Sequence, residues 1–152
     1  DAVGARDQRS AILNEVSKIR NSQALQFLPP GPATDKDVEL VLKGEPPENI
    51  GKAELMGYLR GVEKLSRRVE SYNRQKSTWI SRYSNLAGFE VDQRVKQLEE
   101  SLASIPEKAY DALDDNDPQS YIEFIEYYGF DPREYRKDLG EQKDLLKEII
   151  GQ

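Results

Sequence analysis

The chain has 152 residues, 37% of them hydrophobic and 33% charged, with 22 Lys and Arg against 28 Asp and Glu for a formal net charge of −6. That balance suits one domain, or a domain with a helical extension, that leaves much of its surface in water. Cysteine and histidine are both absent, which excludes a disulfide framework, a thiolate zinc site, a cysteine nucleophile, a Ser-His-Asp arrangement and the commonest ligand of transition metals.

A first helix is expected from about Ala5 to Gln26, with Ile12, Val16, Ile19 and Phe27 on one stripe. The run Leu28-Pro29-Pro30-Gly31-Pro32-Ala33 ends it, because each proline biases its predecessor away from helical dihedrals; the result is a stiff, extended connector. Thr34-Asp35-Lys36-Asp37 then reads as a helix start, with Thr34 as N-cap and acidic groups in the first turn. Val38, Val41 and Leu42 give this short helix one apolar face, and Lys43-Gly44 closes it before Pro46 and Pro47.

The longest proline-free amphipathic run is Lys52 to Leu86. Leu55, Leu59, Val62, Leu65, Val69, Tyr72, Trp79, Ile80 and Tyr83 recur at steps of three and four along it. A helix of that length is roughly 50 Å long at about 1.5 Å per residue, and needs partners along its whole apolar stripe. Gly57 and Gly61 lie four apart inside it, each costing up to about 1 kcal/mol against alanine. Such a pair marks a close helix crossing, for which Leu55, Gly57, Leu59, Gly61 and Val62 form the candidate interface, between copies of the chain; the plain alternative is glycine tolerated near a fraying end.

After Ser84-Asn85-Leu86-Ala87-Gly88, the residues Val91, Val95, Leu98, Leu102 and Ile105 make a seam for one partner helix, which spacing alone leaves unidentified. Pro106 ends the seam and begins a short helix, with Ser104 as a candidate cap. Asp117-Pro118-x-x-Tyr121 and Asp131-Pro132-x-x-Tyr135 each place an Asp cap before a proline at the first helical position, and Gly129 stops the helix between them. The last helix carries Leu139, Leu145, Leu146, Ile149 and Ile150, with a break expected at Gly140. No segment reads as a strand. The expectation is an all-α protein, an elongated helical bundle around one long central helix with short C-terminal helices, divided into residues 1–88 and an acidic region 89–152. No run approaches about 18 consecutive apolar residues, so no membrane-spanning segment is expected.

Charge follows the same division. Residues 1–88 hold 14 Lys and Arg against 11 Asp and Glu, and residues 89–152 hold 8 against 17. Either the basic half meets a polyanion or the two halves attract each other between subunits. Arg67, Arg68, Arg74 and Arg82 are the candidate phosphate contacts, interleaved with Tyr72, Trp79 and Tyr83; the competing reading is a solvated helix face whose aromatics belong to the core. Asp114-Asp115-Asn116-Asp117 is the densest run of oxygen ligands, but it lacks the glycine and glutamate of a calcium loop and reads as a solvated turn. No phosphate loop, dinucleotide fingerprint or nucleophile elbow is present. No enzyme activity, metal or cofactor is expected.

The run Ala24-Leu25-Gln26-Phe27-Leu28-Pro29-Pro30-Gly31-Pro32-Ala33-Thr34-Asp35-Lys36-Asp37, with Gly44-x-Pro46-Pro47-x-Asn49 and Leu59-Arg60-Gly61 after it, resembles a segment of tailed-bacteriophage virion proteins, among them DNA ejection proteins and related internal or tail-associated components. The resemblance covers about residues 10 to 85 and carries no catalytic residue. It implies a structural, self-assembling virion protein that helps form or line a conduit for genome delivery, a homo-oligomer in contact with other virion or tail proteins and with double-stranded DNA irrespective of sequence. The alternative is a non-viral helical adaptor that binds a protein partner through the acidic C-terminal helices.

Overall fold

A computed structural model describes residues 2–31, 35–46 and 48–151. Helices α1 (Ala2–Arg20), α2 (Lys36–Lys43), α3 (Lys52–Tyr83), α4 (Phe89–Ala103), α5 (Glu107–Asp111), α6 (Pro118–Tyr128) and α7 (Pro132–Ile150) account for most of them, with a 3-10 turn at Gln23–Phe27. No strand occurs among the described residues, so the chain is all-α, with α3 its longest helix. The chain divides into two compact units, residues 1–26 with 35–75, and residues 27–34 with 76–152. This differs from the division at residue 88 drawn from the sequence. The last turns of α3 fold with the segment after them: the Trp79 ring meets Phe89 edge-on at 5.9 Å, and its Nε1 donates to the Ala87 carbonyl at 3.1 Å.

In the first unit, Val16 and Ile19 of α1, Val38 and Val41 of α2, and Tyr58, Leu65 and Tyr72 of α3 are buried together with Ala24. Polar side chains close the layers. Arg20 donates to the Val41 carbonyl at 3.0 Å, Arg9 to the Pro46 carbonyl at 2.9 Å, Tyr58 to the Gly44 carbonyl at 3.0 Å and Ser66 to Glu15 at 3.1 Å. The first helix ends at Arg20, six residues before the expected Gln26. There the Ser22 hydroxyl accepts from the Ala24 N–H and turns the chain into the 3-10 segment. The cap of α2 is Asp35, whose carboxylate accepts from the Asp37 N–H at 2.8 Å; the expected Thr34, like Pro32, Ala33 and Pro47, lies outside the described residues.

In the second unit the seam of α4 finds its partner in α7. The two run antiparallel: Gly88, before α4, lies beside Leu146 and Ile149; Arg94 pairs with Asp138 at 2.8 Å; and Leu102 joins the Ile105, Phe124 and Phe130 cluster that includes Tyr135. The long helix stops at Tyr83 rather than at Leu86. Ser84 takes a positive φ of 65°, and Asn85 bonds both the Tyr83 carbonyl and the Ala87 N–H, leaving Leu86 in the loop. Ser104 closes α4 instead of opening α5, whose cap position is Pro106. Both Asp-Pro starts form as expected: Asp117 accepts from the Gln119 N–H at 3.1 Å and Asp131 from the Arg133 N–H at 2.9 Å, and Gly129 ends α6 at φ +82°. Helix α7 runs through Gly140 without the expected break.

The two glycines of α3 can be told apart by substitution. At Gly61 a Cβ would sit 2.1 Å from the Asp37 carbonyl oxygen, whereas at Gly57 its nearest neighbours lie at 3.4 to 3.6 Å. Gly61→Ala should therefore cost about 1–3 kcal/mol through overpacking. Gly57→Ala should be neutral or stabilise by up to about 1 kcal/mol through helix propensity. Thermal unfolding followed by circular dichroism checks both; equal effects at the two positions would contradict the geometry.

Candidate functional site

Part of what carries the resemblance, residues 35–37 and 59–61, meets in the first unit at the crossing of α2 over α3, whereas residues 27–31 fold with the second unit. Helix α2 begins on Asp35, whose cap fixes Asp37 in the first turn. The Asp37 backbone lies on Gly61, and its carboxylate accepts from Arg60 Nε at 3.1 Å and Lys64 Nζ at 3.3 Å. Lys64 also donates to Asp35 at 2.8 Å. A close backbone approach, two carboxylates and two cations thus form one clasp that spans 23 to 29 residues of sequence. All four charged groups remain in contact with solvent, so their pairing adds orientation more than stability.

The clasp holds its carboxylates in the charged form. The hydrogen bond from Lys64 keeps Asp35 below the ordinary aspartate value, and that from Arg60, with Lys64 second among the cations, does the same for Asp37. A carboxyl that serves as a general acid needs the opposite shift.

The structure places the expected interface residues differently from one another. Gly57 and Gly61 are buried, while Leu55, Leu59 and Val62 are half-buried. The close crossing expected of the glycines exists, and its occupant is α2 of the same chain: Val41 and the Asp37 backbone fill the space over Gly61, and Leu40 and Asp37 that over Gly57. What stays open is the edge of the crossing, where Leu40 and Met56 are exposed.

The candidate phosphate contacts are scattered in character. Arg67 pairs with Glu63 one turn away, Arg68 is half-buried, Arg74 is exposed, and Arg82, in the second unit, lies with its guanidinium 5.4 Å from the Tyr83 ring centre. Arg67 and Arg74 share a stripe of α3, but Glu63 and Glu70 flank it and lower its positive potential. In the acidic turn each carboxylate has a local duty: Asp114 accepts from the Asn116 N–H, Asp115 from the Tyr121 hydroxyl, and Asp117 caps α6. No group of three or more acidic side chains is disposed to hold a metal ion among the described residues.

Sequence reading missed the Asp37–Arg60 pair, because ion pairs 23 residues apart leave no local pattern. It also passed over Gln93, Gln97 and Ser101, a buried polar stripe on α4; their spacing of four was the available signal. Comparison with protein-family models, curated proteins and solved structures finds no match to the chain.

Because both carboxyls are depressed below 3.8, the clasp's charge pairing is complete above that value and is lost as pH falls through the folded values. Lys64→Met should raise the Asp35 titration more than that of Asp37, which keeps Arg60. Carbon-detected NMR titration of the two carboxyls reads this directly; equal displacement would show that Arg60 and Lys64 do not divide the work as described.

Proposed function

We propose that this chain is a structural, self-assembling virion protein of the tailed-phage type, which works by binding and helps form or line a conduit for genome delivery. The observation that carries the reading is the clasp. Asp35-Lys36-Asp37, the end of the first stretch quoted for the resemblance, and Leu59-Arg60-Gly61, the last of them, are far apart in sequence and interlock in space. Exposed Leu40 and Met56 beside it are apolar surface suited to a neighbouring subunit.

A second reading, the helical adaptor, draws on α6. From Ala109 to Pro132 the chain has seven carboxylates and no Lys or Arg, and the outward side of α6 leaves Ile122 46% and Tyr127 66% exposed. Apolar anchors among carboxylates suit a basic amphipathic segment of a partner protein.

Sedimentation with and without double-stranded DNA tests the first reading. The protein should assemble at micromolar concentration, and the assembled form should bind DNA regardless of sequence, with a log affinity that falls against log salt by about 0.9 for each phosphate neutralised. The net charge of −6 should keep the monomer from binding at physiological salt. Arg67→Glu/Arg68→Glu should weaken the complex and flatten the salt slope. A protein that stays monomeric removes the conduit reading. Should such a monomer show amide shifts across residues 119–127 on addition of a lysine- and leucine-rich amphipathic peptide, the adaptor takes its place.

A further inference from the structure

The connector after the 3-10 turn belongs to the second unit, although the segments before and after it belong to the first. It is held there as a ligand is held. Pro29 is buried, and the Leu28 carbonyl accepts from Gln97 Nε2 at 2.8 Å. Gly31, at φ +62°, lies on the Tyr128 carbonyl so closely that a Cβ would come within 2.2 Å of its oxygen. Gly129, at φ +82°, faces Gly31 and Pro30 from the other side, where a Cβ would stand 3.3 Å from Gly31 N and 3.5 Å from Pro30 Cβ. Two left-handed glycines thus face each other across a backbone-to-backbone contact.

The α4 surface beneath is unusual for a helical core. Gln93, Gln97 and Ser101 are buried in a row, one turn apart, beside the apolar seam that serves α7. Gln97 turns its amide to the connector, while the Ser101 hydroxyl donates to the Gln97 carbonyl of its own helix at 2.7 Å. An amide that donates to a carbonyl of a proline-rich segment, beside a buried proline, is how such peptides are recognised. Prolines donate no N–H and arrive with restricted φ, so an incoming copy of the segment loses little conformational freedom. The polar stripe, once vacated, can be solvated.

We infer that the Gln97 face of α4, with Tyr128 and Gly129, is a receptor site for a Leu-Pro-Pro-Gly segment, filled within the chain by residues 28–31 and able to take the same residues from a second copy. Exchange of an identical segment replaces each contact with its equivalent and joins copies at low cost. This rests on the self-assembly reading above and gives it a contact.

The probe is a blocked synthetic peptide of residues 24–35 of this chain, titrated into the full-length protein and into Gly31→Val, whose own connector cannot seat. Calorimetry should show at least tenfold tighter binding to Gly31→Val than to wild type, because the tethered segment competes in the latter. Gly31→Val/Gln97→Ala should lose most of that gain, and a peptide carrying the same Gly31→Val change should bind neither protein. Excess peptide should shift wild-type assemblies toward monomer in sedimentation. If circular dichroism shows Gly31→Val unfolded, Pro29→Ser/Pro30→Ser loosens the connector without a clash and serves in its place. No peptide binding to a folded, connector-released variant overturns the receptor site, even where wild type still assembles. Peptide binding together with assembly that excess peptide leaves untouched overturns exchange between copies and leaves self-assembly by another surface standing. A wild type that is monomeric throughout removes both exchange and the conduit reading.

Discussion

The contact on which the first unit depends is made by a backbone carbonyl. Asp37 O comes within 2.1 Å of where the Cβ of any residue but glycine would stand at position 61, and this sets how closely α2 packs on α3. Val38 and Val41 are buried as a consequence, because a helix lifted by the width of a methyl group could not seat both. The ion pairs from Arg60 and Lys64 come after this in importance. They are solvent-exposed, and they select the register of α2 rather than supply the energy that holds it down.

The second unit solves a comparable problem with different chemistry. Its apolar seam is satisfied by α7, and its aromatic cluster by short elements whose ends are set by Asp caps and prolines. Beside them a connector is held by a side-chain amide and by close backbone approach. Buried polar side chains are tolerable there because each is satisfied: no buried side-chain nitrogen or oxygen lacks a partner among the described residues.

Local features were legible in the sequence. Helical periodicity, the two Asp-Pro starts and the stop at Gly129 depend on neighbours within a turn, and the fold class follows from them. Boundaries moved where a side chain competed with the helix, as Ser22 does after α1 and Asn85 after α3. Identities of partners were not legible. The step of four between Gly57 and Gly61 announces a close approach but not what approaches, and the seam from Val91 to Ile105 accepts any helix with a matching face. Gln93 and Gln97 carry no hydrophobic signal, so a stripe that is buried reads like one in water. The four arginines share a sequence trend, yet their surroundings differ, since ion pairing and burial are decided by residues distant in sequence.

The lone tryptophan gives the molecule an optical asymmetry. Trp79 lies in the second unit, half-buried between Tyr83 and Phe89 and bonded to the carbonyl of Ala87. Light absorbed by indole therefore reports on that unit, while the clasp of α2 on α3 lies in a unit without an indole. Far-ultraviolet dichroism sees the helices of both. Where melting curves from the two methods coincide, the units unfold together; where they separate, the difference measures how independently each half of the chain holds its own structure.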